Sequence, residues 1–351
     1  MEPDESELKA RIEGGSTELF DYLSLINFYG ENGEHSKALS LCDRALNLSL
    51  TSEERAFVIS RKGEMLNLLG RRDEALACFE ESSRLLSQAL ESVQVLNVKA
   101  SNHYNLSLSH LVSEEQAQEY ATQALNYFER LVGMDPNYEE KYLVYSRIAD
   151  LYSRKNELDK ALEIYDEALT AARSDDEKTW CVVGMANICA NKDERAKAQE
   201  YYEQALKLGK QSASLSKIYF DIGKAYRAWG QVRNAADHFN QALRLRENDP
   251  VLRNDKFYVA EIYWNLGRLA YDEQENDKTI SYMTKVLENI DETYAYYCDA
   301  QLTLGHCFSA NGQKAKARKH YNAVLFAPHV IEDEKKMADK CLKKIGGEGT
   351  A

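Results

Sequence analysis

The sequence predicts an all-helical fold: an α–α superhelix, or solenoid, of about eight helical hairpins followed by a C-terminal capping helix. Three observations predict it. Proline is scarce, only 4 in 351 residues, so long stretches can stay helical without losing a backbone donor. Apolar residues recur at spacings of three and four, which gather on one face of a helix. A triplet of core residues also returns eight times along the chain, the mark of a repeat architecture.

The triplet begins on a small residue. Its eight occurrences start at Ala38, Ala75, Ala117, Ala161, Ala198, Ala235, Thr279 and Ala317. The steps between them are 37, 42, 44, 37, 37, 44 and 38 residues. Four residues later come Cys42, Phe79, Ala121, Tyr165, Tyr202, Phe239, Met283 and Tyr321, and three further on Ala45, Ser82, Ala124, Ala168, Ala205, Ala242, Val286 and Val324. Twelve residues before each start lies a second small position: Gly63, Ala149, Ala186, Gly223, Gly267 and Gly305, with Ile26 and Asn105 as departures. Small residues on both helices allow close approach within a hairpin, where a larger side chain would cost about 1–3 kcal/mol by overpacking. Polar turns separate the helices at Asn32-Gly33, Gly70-Arg71-Arg72-Asp73, Lys155-Asn156-Glu157, Asn191-Lys192-Asp193 and Asn311-Gly312. Gly or Asn ends one helix there and a polar residue opens the next.

These residues carry a resemblance. The unit resembles the tetratricopeptide repeat, Trp-x2-Leu-Gly-x2-Tyr…Ala-x3-Phe…Pro. Pairs such as Ile222-Gly223-x-x-Tyr226 and Leu304-Gly305-x-x-Phe308 match its first helix. The likeness covers roughly residues 17–330. Every step exceeds the family's 34 residues, by amounts close to whole helical turns. Long-helix repeats of this kind look like those of kinesin light chains and cell-polarity adaptors, which bind partner peptides. The expected organisation is an N-terminal segment 1–16 with a possible short helix, a solenoid 17–330 with one apolar spine, a capping helix 331–345 and a flexible tail 346–351. Ile331, Met337, Leu342 and Ile345 form the expected buried stripe of the cap.

Composition narrows the function. A net charge of −13 repels polyphosphates, so no nucleic-acid partner is expected. No run reaches the roughly 18 apolar residues of a membrane span, and the acidic start Met1-Glu2-Pro3-Asp4-Glu5 is unlike a secretory leader. The expectation is a cytoplasmic protein without cofactor, whose seven cysteines are small buried thiols. No phosphate-binding loop, dinucleotide turn or zinc-binding helix motif occurs. His103 and His110 share a helical face, but no third ligand joins them at usable spacing. Catalysis is not expected, because no set of convergent polar groups emerges. Tyr152, Tyr165, Tyr202 and Tyr226 occupy repeat positions and read as core.

The resemblance implies that the inner face of each first helix lines a concave surface for ligands. With the small residue numbered eighth in its repeat, the second, fifth, ninth and twelfth positions should be exposed. They give Phe20, Leu23, Asn27, Phe57, Ser60, Glu64, Asn67, Lys99, Asn102, Leu143, Ser146 and Asp150 in the first four repeats. Later ones give Trp180, Val183 and Asn187; Lys217, Phe220, Lys224 and Arg227; Glu261, Trp264, Arg268 and Tyr271; and Asp299, Leu302 and His306. Aromatics interleaved with basic residues make Trp180, Asn187, Lys217, Phe220, Lys224, Arg227, Trp264, Arg268 and Tyr271 the expected peptide-binding set. Their basic members point to a protein or peptide partner carrying acidic residues beside aromatic or aliphatic anchors. The family's clamp for chaperone C-terminal carboxylates is not expected, since the corresponding pairs read Leu23/Asn27, Ser60/Glu64 and Asn102/Leu106. The leading expectation is an interaction adaptor that docks a peptide or disordered segment. Alternatives are a peptide-sensing regulator, for which the start of repeats near residue 17 leaves no output domain, and a noncatalytic scaffold subunit. Exposed aromatics would favour groove binding; packed ones would favour the subunit.

Overall fold

The helices pair as the triplets require. The computed structural model describes residues 5–347 apart from 32, 110, 210, 251, 291, 293, 295 and 329. His110 and the tail 348–351 thus lie outside the described residues. The helices are α1 (Glu5–Glu13), α2 (Leu19–Glu31), α3 (His35–Ala45), α4 (Ser52–Leu68), α5 (Arg72–Leu85), α6 (Val93–Ser107), α7 (Glu114–Met134), α8 (Lys141–Arg154) and α9 (Leu158–Ala171). They continue with α10 (Asp175–Asn191), α11 (Arg195–Leu208), α12 (Ser212–Ala228), α13 (Val232–Asn248), α14 (Lys256–Asp272), α15 (Asn276–Asn289), α16 (Tyr297–Ala310), α17 (Lys314–Leu325) and α18 (Glu332–Gly347). No strand occurs among the described residues.

The chain divides into two compact units, residues 1–209 and 210–351. The first holds α1 and the hairpins α2/α3, α4/α5, α6/α7, α8/α9 and α10/α11. The second holds α12/α13, α14/α15 and α16/α17, with α18 packed on the last pair. The small first-helix residues do what their size predicts. A Cβ on Gly223 would meet Phe239 at 2.6 Å and one on Gly305 would meet Tyr321 at 2.4 Å, so the partner rings lie directly on the glycine backbone.

Seven hairpins turn the same way. A left-handed residue follows the first helix at Gly33, Gly70, Asn156, Asp193, Gly230, Gln274 and Gly312. The next amide reaches back five residues, as from Arg71 N to Leu66 O and from Glu157 N to Tyr152 O. This arrangement closes the orphan carbonyls of a helix end. Entry into the longer helices uses reciprocal side-chain caps: Thr51 with Glu54, Ser113 with Gln116 and Ser174 with Glu177. Each satisfies two otherwise unpaired backbone donors.

The third repeat departs from this plan. No left-handed turn is found among its described residues, and α7 runs for 21 residues. Its fully buried triplet is Ala124, Phe128 and Leu131, whereas the expected Ala117 is only half-buried. The register is therefore two turns further along, and the twelve-residue offset fails there. Lys99 and Asn102, expected on the open face, are buried in consequence.

At the C-terminus α18 extends through Gly347. Its inward stripe is Ala338 and Ile345, which are buried, with Cys341 and Leu342 half-buried beside them. Ile331 and Met337 are exposed, so the inward face is rotated from the expected one. Tyr152, Tyr165 and Tyr202 are core as expected, while Tyr226 is half-buried and stacks on His238 with ring centres 5.2 Å apart. His103 is buried too, its Nδ1 2.7 Å from Lys99 O and its ring between Tyr120 and Tyr127.

Candidate binding groove and aromatic strip

In the first unit the inner faces of α2, α4, α6 and α8 enclose an open groove of about 390 Å³. Leu23 and Asn27 come from α2, Phe57, Ser60 and Glu64 from α4, and Leu143 from α8. All six are positions the repeat phase places on the concave face. From α6 the lining is Val93, Gln94, Asn97, Val98 and Ser101, a face displaced from the expected Lys99 and Asn102 by the register change described above.

Two arginines that the phase did not single out complete the groove. Arg61 pairs with Glu64 at 2.7 Å. Arg147 donates to Ser101 Oγ at 2.7 Å, and its guanidinium lies 5.5 Å from the Tyr104 ring centre. Glu140 accepts from Tyr138 at 3.3 Å on the same rim. Burial, reinforced by Glu140, pushes the Tyr138 phenol up to about 12, so it remains a neutral donor. Two guanidinium groups thus face two carboxylates around an apolar floor of Leu23, Phe57, Val93, Val98 and Leu143.

Behind this surface, Ser60 Oγ donates to Asn102 Oδ1 at 2.6 Å, and Asn102 Nδ2 donates to Ser82 Oγ at 2.9 Å. Ser82 in turn donates to Ala56 O at 2.8 Å. The chain of bonds ties α4, α5 and α6 together without an unsatisfied buried group.

The residues of the expected aromatic–basic set separate into two groups. Trp180 and Asn187 lie in the first unit, on α10. Trp180 is 47% exposed, and Asn187 accepts from Tyr202 Oη at 2.5 Å. The other seven lie in the second unit on α12 and α14. Phe220 is not solvent-facing as expected. It is only 2% exposed and packs on Phe239 and Tyr258, with ring centres 5.6 and 5.1 Å away.

The reason is common to several repeats. The fifth position faces the following hairpin: Ser60 bonds Asn102 of α6, Ser146 contacts Cys181 of α10, and Phe220 meets Tyr258 of α14. Val183 and Leu302, at the same position, are likewise buried. Trp264 is half-buried by the same geometry. Its ring stacks on Tyr296 at 4.6 Å and its Nε1 donates to Asp299 Oδ2 at 2.6 Å.

The basic residues of this strip are largely neutralised. Lys217 and Lys224 both pair with Asp221, at 3.3 and 2.7 Å. Burial alone would push the Asp221 carboxyl up, but the two ammonium groups outweigh it and hold it below its ordinary value. Arg268 lies 3.4 Å from Asp299. Arg227 donates to Asn265 at 2.7 Å and sits 5.2 Å from the Trp264 ring centre. Tyr271 Oη is 3.3 Å from His306 Nδ1. The strip is an internal polar network with little surplus positive charge.

Among the described residues no cluster of three or more His, Cys, Asp or Glu side chains could hold a metal. No helix there is long and apolar enough to cross a membrane.

Profiles described as tetratricopeptide repeat match residues 177–248 and 144–179, and one described as PPR repeat matches residues 20–48. No curated protein matches the sequence. Among solved structures, YrrB, "a TPR protein with an unusual peptide-binding site", is 21% identical, with 62% of this chain and 97% of that one covered and a TM-score of 0.40. BtubC (BKLC) from P. vanneervenii is 20% identical over 68% of this chain and 94% of its own, with a TM-score of 0.47. MamA is 19% identical over 55% and 97%, with a TM-score of 0.40.

Proposed function

Because this chain is a tetratricopeptide-repeat protein, we propose that it is a non-enzymatic interaction adaptor whose first unit holds a peptide or disordered segment of a partner. The observation that carries this reading is the groove of about 390 Å³ on α2, α4, α6 and α8. Its chemistry suits a main chain. Asn27, Gln94 and Asn97 each offer a donor and an acceptor, matching the N–H and C=O groups of an extended segment. The apolar floor takes an aliphatic or aromatic anchor. Balanced charges on the rim favour a near-neutral segment over an acidic one, because an acidic ligand would meet Glu64 and Glu140 as well as the arginines.

Selection of displayed random peptides on the intact chain tests this. Enriched sequences should carry an apolar anchor and little net charge. Phe57→Ala should weaken them by at least about 30-fold, the scale of a hot-spot loss near 2 kcal/mol, with unchanged helical circular dichroism. Selected peptides indifferent to both Phe57→Ala and Leu143→Ala would remove the groove from the account.

A second reading, a noncatalytic subunit held through other faces, is favoured by the burial of Phe220 in the second unit. In that case groove variants would leave assembly with its complex intact.

A further inference from the structure

We propose that Cys341 is a reactive thiol that undergoes exchange with small disulfides, and that the resulting adduct displaces α18 from the last hairpin. The proposal starts from a convergence of three helices. Cys341, on α18, places its Sγ 3.5 Å from Nε2 of His306 on α16. The phenol of Tyr321, on α17, is pushed up by its burial and by the neighbouring Cys341. On its other side His306 is fixed by Tyr271 of α14, whose Oη is 3.3 Å from Nδ1. The imidazole ring lies 5.7 Å from the Tyr321 ring and 6.4 Å from the Tyr271 ring, centre to centre. A thiol beside a base that a third group orients is the arrangement of an activated nucleophile. A neutral phenol beside the sulfur can stabilise the thiolate as it forms.

The other six cysteines lack this combination. Cys42, Cys181, Cys189, Cys298 and Cys307 are buried, and Cys78 is half-buried. Burial pushes the thiol pKa of all six upward. Cys341, like Cys78, is half-buried, which leaves part of the residue open to a small reagent, and of the two it alone has the imidazole beside it.

The chemistry is thiol–disulfide exchange. With the His306 proton on Nδ1 and shared with Tyr271 Oη, Nε2 is free to accept the Cys341 S–H proton. The thiolate attacks one sulfur of a disulfide R–S–S–R, the S–S bond breaks, and Cys341 becomes a mixed disulfide. The departing R–S⁻ takes the proton from His306 Nε2 and leaves as R–SH. The disulfide is the oxidant, and no other reactant is needed.

The adduct falls where α18 is anchored. Cys341 lies between Ala338 and Ile345 on the stripe that covers Cys298, Leu302, Ala317, Tyr321 and Val324. Ala338 is fully buried, so atoms added at the sulfur overpack this contact. A 16-residue helix released from its packing is marginal alone. Modification therefore uncovers the apolar end of the last repeat.

The test is reaction of the native full chain with 4,4′-dithiodipyridine, a neutral disulfide whose released thiopyridone is followed by absorbance. One equivalent should react at least 10-fold faster than the remaining thiols, and mass mapping should place the adduct on Cys341. The fast phase should vanish in Cys341→Ser and slow at least 10-fold in His306→Gln. Hydrogen exchange in residues 332–347 should accelerate on modification, while α14 and α15 keep their protection. The proposal is overturned if the fast adduct maps to another cysteine, if His306→Gln leaves the rate unchanged, or if modified protein keeps full protection in α18. Mapping on unaltered protein and the His306 variant decide the matter even where Cys341→Ser fails to fold.

Discussion

Adding one methyl group at Gly223 should destabilise the second unit, although the same change in an open helix stabilises. Gly223 lies inside α12, where Gly→Ala ordinarily gains about 1 kcal/mol from helix propensity. Here the new Cβ would sit 2.6, 2.7 and 3.1 Å from Cε1, Cδ1 and Cγ of Phe239. Ordinary contact is about 3.5–4.0 Å between carbons, so the ring must retreat by about 1 Å. It has no room to do so, being fully buried with Phe220 against it. Overpacking of this kind costs about 1–3 kcal/mol, which exceeds the propensity gain and leaves a net loss of about 1 kcal/mol. Trp229 and Trp264 both lie in the second unit, so urea unfolding followed by tryptophan fluorescence reports on it. Gly133 of α7 is the control: nothing lies within 4 Å of its added Cβ, and Gly133→Ala should be neutral or stabilising. In a Phe239→Leu background the penalty of Gly223→Ala should shrink or reverse, a coupling measured by a double-mutant cycle. If Gly223→Ala stabilises wild-type protein as a free helical glycine would, the close approach of α12 and α13 is wrong.

Other perturbations test the polar contacts. Asn102→Leu strips Ser60 and Ser82 of a fully buried partner and should cost about 1–3 kcal/mol of stability, measured by urea unfolding; a neutral result would show that the network contributes nothing net. Asp221 has a depressed folded-state pKa, so its ion pairs contribute stability above the unfolded carboxylate value near 4. That contribution falls away as pH drops through the folded value. Wild type should therefore lose its advantage over Asp221→Asn on acidification below about pH 4, and a stability difference independent of pH from 7 to 2 would refute the assignment.

Much of this architecture was legible because packing imposes strict rules on a repeated hairpin. A triplet at spacings of four and three must be small where helices touch, and seven of the eight triplets are buried as read. The third misled for a definite reason. Ala117, Ala121 and Ala124 share a helical face with Ala124, Phe128 and Leu131, and a shift of seven residues preserves that face almost unchanged. The available warning was Asn105, an amide where the other repeats place a small or apolar residue. Position within the face was legible, but which neighbour covers it was not. Ser60 and Ser146 at the fifth position already hinted at a helix contact there, since small polar residues allow close approach. Phe220 reads as exposed because the repeat phase alone puts the fifth position on the open face, whereas Phe239 and Tyr258 pack against its ring.

The groove shows the complementary limit. Leu23, Asn27, Phe57, Glu64 and Leu143 followed from repeat phase alone. Arg61 and Arg147 did not, yet both stand two residues before the small position, in the second and fourth repeats. The same slot therefore supplies a guanidinium from two different helices, while the carboxylates that balance them come from Glu64 on a helix and Glu140 at a helix entrance. Charge read along the chain made the second unit look like the basic surface. Charge read across helices reverses that judgement, because Asp221 and Asp299 sit beneath the cations of that unit. In a repeat protein the fold follows from what is adjacent in sequence at helical spacing. Recognition depends on what neighbouring hairpins bring together some 35–45 residues apart, and the tie of Cys341 to His306, 35 residues away, arises in the same way.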